Sequence, residues 1–284
     1  MSDMVITREY VKSLVGERNR DSHKGDNGRG LIIAGSDGFF GASLMATASC
    51  LKSGIGLLKT ASVETARNAF FTLPEAMFCS IGASWDECDF ERLSSLINEA
   101  EVIAVGPGIG KSRGVEKVLL RVLESNKNTV IDADGLNVLS MSDSLKSKLS
   151  PCVVLTPHFG EMSRLTGKSV EELSQNPKGE AENFAKEYNC NVLLKGAYSY
   201  IASHDGRVMK NESGNAGLAK GGSGDVLTGI ILAMMGQKLS PFDAACAGAF
   251  ILGTSADVAF DILKERMMLA RDVTEAIEET LKWK

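Results

Sequence analysis

The sequence predicts an α/β fold, a mainly parallel sheet covered by helices on both faces. Three observations predict it. Short unbroken apolar runs, LIIAG (Leu31–Gly35), EVIAVGP (Glu101–Pro107) and CVVLTP (Cys152–Pro157), have the length and character of strands buried on both sides. Amphipathic stretches stand between such runs, clearest in GVEKVLLRVLES (Gly114–Ser125), as right-handed βαβ units require. The runs end on Gly, Pro, Asp, His or Lys, where the loops of such a sheet converge on a ligand crevice.

Taken in order, Thr7–Glu17 reads as a short helix capped by Thr7, with Tyr10, Leu14 and Val15 on one face. Asn19–Gly30 is a polar, Gly-rich loop, and Leu31–Gly35 is the first strand. ASLMATASCLKSG is a helix ended by Gly54, GLLKTA (Gly56–Ala61) a strand and VETARNAFF (Val63–Phe71) a helix. EVIAVGP, TVIDADG (Thr129–Gly135), CVVLTP and NVLLKG (Asn191–Gly196) are strands. YSYIAS and RVMKN flank His204-Asp205-Gly206, a hairpin signal. Everything from Gly222 reads helical, with Pro241 opening a helix after Ser240. No repeat or linker interrupts the chain, so residues 1–284 form a single domain.

Composition narrows the function classes. The chain has 284 residues, 44% hydrophobic and 24% charged, and a net charge of −5. It lacks the basic footprint of a nucleic-acid binder. The six cysteines are scattered without a CxxC and read as small buried hydrophobes in a reducing compartment. The N-terminus carries no apolar signal-peptide core. The stretch Asp243–Phe260 includes Asp257 and falls short of the roughly 20 apolar residues of a membrane span, so a buried helix and a cytoplasmic protein are expected.

The candidate chemistry lies at the strand ends. In AKGGSGDVLTG, Gly221, Gly222 and Gly224 permit a tight turn into a helix whose first amides suit a phosphate, and Asp225 at that helix end is placed to take a proton from an attacking hydroxyl. The plainer alternative is an aspartate cap. GSDGFFGA is a second Gly-rich strand-to-helix turn, in which the small Ala42 would let a flat ligand lie close. AVGPGIGKS exposes amides before a helix capped by Ser112. Asp132 and Asp134 lie two apart, so strand alternation sends both to one side, where they hold Mg²⁺ or a hydroxyl, or else Asp134 caps the next helix and Asn137 completes the turn. In LTPHFGEMSRLTG, His158 and Glu161 share a first helical turn; His158 either touches substrate or is a satisfied side chain, and Glu161 could orient a Mg²⁺-bound water. Lys195 either meets nucleotide phosphates or reaches to solvent.

GSDGFFGA, GPGIG, DADGLN, LTPHFGEMSRL, LLKG and GNAGLAKGGSGDVLTG, in that order, resemble the NAD(P)H-hydrate dehydratase family over about Lys24 to Asp257. The resemblance implies a ribokinase-like three-layer αβα sandwich. It implies nucleotide-dependent dehydration of the S epimer of hydrated NADH or NADPH (NADHX, NADPHX), with ADP or ATP as co-substrate and Mg²⁺. Its hydrate-contacting positions fall on Ala42, Gly108, His158 and Asp225, with Asp225 catalytic. Its nucleotide positions fall on Lys195, Gly196, Ala197, Tyr198 and Ser199 and on the turn Gly222, Ser223 and Gly224, and Glu161 would serve the metal through water. A homotetramer is common in the family. No additional βα set precedes Leu31, so a separate epimerase is the expected partner. Phe159 stands where many members have proline, and Tyr198-Ser199 replaces a smaller or more polar pair. The alternative is a vitamin or sugar kinase of the same fold, which would use Asp225 identically but release a stable phosphate ester. A sensor without turnover would tolerate loss of that carboxylate.

Overall fold

A computed structural model describes residues 4–283. Nine strands form one sheet: β1 (Arg29–Ile33), β2 (Leu57–Ser62), β3 (Met77–Ser80), β4 (Val102–Val105), β5 (Asn128–Ile131), β6 (Val153–Leu155), β7 (Asn191–Leu194), β8 (Ser199–Ser203) and β9 (Val208–Asn211). Their order is β3-β2-β1-β4-β5-β6-β7-β8-β9. Pairs from β3 through β7 are parallel, and the hairpin strands β8 and β9 add antiparallel.

Strand alternation divides the core in two. Ile32, Ala104, Val130, Val154 and Leu193 face one side; Leu31, Ile33, Ile103, Val105, Ile131, Leu155 and Val192 face the other. Helices Phe40–Lys52, Ser223–Gly236, Pro241–Met267 and Ala270–Leu281 cover the first side. Helices Phe90–Glu99, Arg113–Glu124, Phe159–Thr166 and Pro177–Glu187 cover the second. The result is the expected helix–sheet–helix sandwich.

Most elements stand where the sequence puts them, caps included. Thr7 accepts from the Tyr10 amide, and Ser240 from the Asp243 amide ahead of a helix opened by Pro241. All six cysteines are free thiols, and Cys50, Cys190 and Cys246 are buried.

Four findings differ from the sequence reading. Glu64–Thr72 is a 3-10 helix with no side-chain cap and only Ala66 and Phe70 buried. Edge strand β3 and helix Phe90–Glu99 are additional elements. Pro241–Lys264, 24 residues, is long and apolar enough to cross a membrane by length and composition. It lies instead in the core, with Ala244, Ala245, Cys246, Ile251 and Ala256 fully buried, and Asp257 accepts from the Gly214 amide and the Asn215 side chain.

Candidate active site

The strand order reverses between β1 and β4, so the loops leaving their carboxyl ends diverge and open a crevice. These loops bind each other at its base. The Gly35 amide donates to Pro107 O at 2.8 Å, and Ser36 Oγ to Gly108 O at 2.8 Å. Buried Trp85 donates its indole N–H to Gly35 O at 2.7 Å. Gly108 must be bare: a Cβ there would lie 2.7 Å from Phe39 O and 3.0 Å from the Ala42 Cβ. Ala42 and Gly108 are thus neighbours.

Helix Ser223–Gly236 points its N-terminus at the same end of the sheet. Gly222 precedes it at φ 99°, a left-handed conformation that favours glycine, and a Cβ there would come within 2.5 Å of Met45 Sδ. No described side chain caps this helix, so its first amides remain for a ligand. Asp225 stands in that first turn, partly buried. Its carboxyl is raised from the ordinary 3.8 to about 7, first by burial and then by the Asp132 charge, with Lys195 opposing.

Asp132 ties the site together. It is buried at the end of β5, accepting from Lys195 Nζ at 2.9 Å through one oxygen and from Thr228 Oγ1 at 2.9 Å through the other. Thr228 lies three residues beyond Asp225 on the same helix, so this bond sets the helix against the sheet. Lys195 also stands 3.8 Å from Glu161 Oε2. Burial works against the Lys195 ammonium, but Asp132 and Glu161 hold it above the ordinary lysine value. A Cβ on Gly224 would lie 3.3 Å from Asp132 Oδ2 and 3.4 Å from Lys195 Nζ, which places the glycine turn over the ion pair.

His158 caps helix Phe159–Thr166. Its Nδ1 accepts from the Gly160 amide at 2.9 Å and the Glu161 amide at 3.3 Å. Glu161 answers by accepting from the His158 amide at 2.9 Å, closing a capping box. Nδ1 therefore carries no proton in the neutral ring, and Nε2 does. Burial, Lys195 and Arg164 all push the His158 pKa down, which favours the neutral ring. Buried Glu161 is shifted up, chiefly by burial. The ring is both a satisfied side chain, with Nε2 3.5 Å from Glu161 Oε1, and, being exposed, an available contact.

The nucleotide positions Lys195–Ser199 form the turn from β7 into β8. It starts beside His158, since the Lys195 amide donates to Pro157 O at 2.8 Å. Gly196, Ala197 and Tyr198 are exposed. Phe159 covers this turn: a Gly196 Cβ would lie 3.0 Å from its ring. Lys210 Nζ sits 4.1 Å from the Tyr198 ring centroid.

Asp132 and Asp134 do not act as a pair. β5 ends at Ile131, and Ala133 takes φ 50°, which breaks the alternation that would align them. Asp134 opens the next helix without capping it, accepting from the Gly110 amide and Asn137 Nδ2. The solvent-directed alternative for Lys195 also falls, because its ammonium is paired with Asp132. Thr228 is an addition; its one-turn spacing from Asp225 was the available signal. No cluster of three or more potential metal ligands occurs among the described residues.

A family model described as NAD(P)H-hydrate dehydratase matches residues 30–279. The ADP-dependent (S)-NAD(P)H-hydrate dehydratase of Bacillus subtilis strain 168 is 32% identical over 98% of this chain and 97% of its own length. The bifunctional NAD(P)H-hydrate repair enzyme of Escherichia coli strain K12 is 37% identical over 96% of this chain. The chain spans about half (51%) of that relative. The crystal structure of a B. subtilis ADP/ATP-dependent NAD(P)H-hydrate dehydratase, co-crystallized with ATP/Mg²⁺, superposes with a TM-score of 0.88 at 31% identity, covering 99% of each chain. The architecture is the ribokinase-like one found in solved neighbours. With the family model spanning most of its length and relatives matching across the crevice and both glycine turns, this chain belongs to the NAD(P)H-hydrate dehydratase family.

Proposed function

We propose that the chain dehydrates the S epimer of hydrated NADH or NADPH, with ADP or ATP as phosphoryl donor, releasing AMP or ADP and phosphate. The observation that carries this reading is the position of Asp225, a carboxylate tuned to about 7 beside the uncapped amides of its own helix. A general base works best with a pKa near the working pH. Hydroxide leaves poorly, so the hydroxyl is first converted to a phosphate. Asp225 takes its proton as the oxygen attacks the terminal phosphorus, and the bond to the departing nucleotide breaks. The amides of the Gly222–Gly224 turn stabilise charge on the phosphoryl oxygens in flight. Phosphate then leaves the ring carbon, a ring proton is lost, and the double bond is restored.

Ala42 and Gly108 line the hydrate side, with His158 across the crevice. Lys195, Gly196, Ala197, Tyr198 and Ser199 take the nucleotide, together with Gly222, Ser223 and Gly224. Mg²⁺ needs only one or two carboxylates beside substrate phosphates, so the site could serve it without a three-ligand cluster among the described residues. Asp132 has both oxygens engaged, whereas Glu161 Oε1 has only His158 Nε2 at 3.5 Å, so Glu161 would hold the ion through water. Such an ion neutralises phosphate charge. The reading extends to a cytoplasmic homotetramer fed by a separate epimerase; exposed Phe71, Ile262 and Met267 are surface that assembly would cover, and light scattering checks it.

The test is dehydration of purified hydrate with ADP and with ATP. Return of NADH absorbance with equimolar phosphate supports the reading. A stable phosphorylated product would make the chain a kinase, and no nucleotide turnover at all would make it a binding protein.

A further inference from the structure

Arg164 has no part in the reaction as described above. It lies on helix Phe159–Thr166, its side chain exposed, and its Nε donates to Asn137 Oδ1 at 2.7 Å. Asn137 Nδ2 donates in turn to Asp134 Oδ1 at 3.2 Å, and Asp134 Oδ2 accepts from the Gly110 amide at 3.0 Å. This chain of bonds links the loops after β4 and β5 to the helix that His158 caps. It also gives a role to Asp134 and Asn137 of DADGLN, which the catalytic reading leaves unused. A guanidinium held through Nε presents its Nη groups as an oriented fork, and neither Nη donates to another described residue.

The fork stands beside His158. A Cβ on Gly160 would lie 2.9 Å from His158 Cε1 and 4.0 Å from Arg164 Nη1, so bare Gly160 leaves a notch between the imidazole and the guanidinium. Arg164 is close enough to disfavour the protonated ring of His158 and to favour the ionised form of Glu161. The other cation of the site, Lys195, is already paired with Asp132. A phosphate entering a crevice lined by carboxylates, in a chain of net charge −5, therefore finds an unpaired cation here. The bonds that orient Arg164 run to Gly110, two residues beyond Gly108 on the hydrate side, and not to the turn between β7 and β8.

We infer that Arg164 binds a phosphoryl group of the hydrated dinucleotide in the notch beside His158, and that Asn137 is its positioning residue. This rests on the dehydratase reading. The phosphoryl group is either part of the pyrophosphate bridge, common to both hydrates, or the additional phosphate of hydrated NADPH.

Steady-state dehydration tests it with wild type, R164A, R164K, N137A and N137A/R164A, each confirmed folded by circular dichroism. R164A should raise the KM for hydrate about 10- to 100-fold, the effect of losing a charge-assisted hydrogen bond, while kcat stays within a few-fold and the KM for ADP is unchanged. An equal rise for both hydrates assigns the bridge; a rise for hydrated NADPH alone assigns its additional phosphate. R164K should recover part of the loss. N137A should raise the hydrate KM less than R164A and add nothing in the double variant, a coupling that loss of helix stability would not produce. A hydrate KM within twofold of wild type in R164A, or a rise in the ADP KM in its place, overturns the inference and leaves the dehydratase reading intact. Wild type that returns no NAD(P)H from either hydrate refutes the dehydratase reading itself, and the inference with it.

Discussion

Replacing Asp225 by asparagine should abolish turnover and at the same time stabilise the protein. The carboxyl moves from 3.8 to about 7 on folding, which corresponds to about 4 kcal/mol between its two protonation states. Because the folded value is the higher one, ionisation is resisted only in the native state. Native stability is thus undiminished below about pH 4, falls as pH rises toward 7, and is lower by the whole amount above it. The side-chain amide of the D225N variant does not ionise and is spared that loss. The variant should therefore melt several degrees above wild type at pH 8 and at the same temperature near pH 4. Loss of the base should lower kcat by about 10²- to 10⁴-fold. Wild-type kcat/KM for the hydrate should rise with pH up to about 7 and then level, a limb the variant lacks. Nucleotide affinity should persist, since the turn's amides are untouched. Thermal unfolding by calorimetry at both pH values, with dehydration kinetics and ADP titration, measures all of this. An unchanged or lower melting temperature at pH 8, or turnover within tenfold of wild type, would rule out a buried carboxylate acting as the base.

Substitutions around that carboxylate and in the loops of the crevice should also have distinct effects. Lys195→Met leaves Asp132 buried without its cation, which should cost about 3–5 kcal/mol in a urea melt. It should also move the acid limb of the pH profile upward, because Lys195 holds the Asp225 pKa down. Gly222→Ala puts a Cβ 2.5 Å from Met45 Sδ at φ 99° and should weaken nucleotide binding at least tenfold by calorimetric titration, with strain of about 1–3 kcal/mol. Trp85→Phe leaves Gly35 O without its indole donor; a loss of about 1–3 kcal/mol is expected in the same melt, with a higher hydrate KM because the loop bound to Gly108 loosens.

The sheet was legible because its strands are short apolar runs closed by Gly, Pro or charged residues, and the glycine-rich turns GSDGFFGA and GPGIG lie where two of those runs end. β3 was not, because an edge strand buries little: Met77 is exposed and the other three residues are only partly covered, so MFCS has no pattern to read. Helix Phe90–Glu99 did carry a signal, an Asp89 cap followed by Leu93, Leu96 and Ile97 on one face. Asp132 and Asp134 show where periodicity misleads. A strand's alternation holds only to its last paired residue, and the left-handed Ala133 lies just beyond it. Lys195, Asp132 and Thr228 are far apart in the chain, and only the parallel order of β5, β6 and β7 brings the first two together. Their pairing is tertiary information that no local pattern contains.

The helix that carries Asp225 is buried continuously from Val226 to Gly236. The reacting group is thus mounted on one of the most deeply buried helices of the molecule, and the amides of that helix should resist deuterium until the whole domain opens. Any adaptation to the shape of a bound dinucleotide then falls to the surface turns after β1, β4 and β7. Substrate choice and proton transfer can accordingly diverge in evolution without disturbing one another.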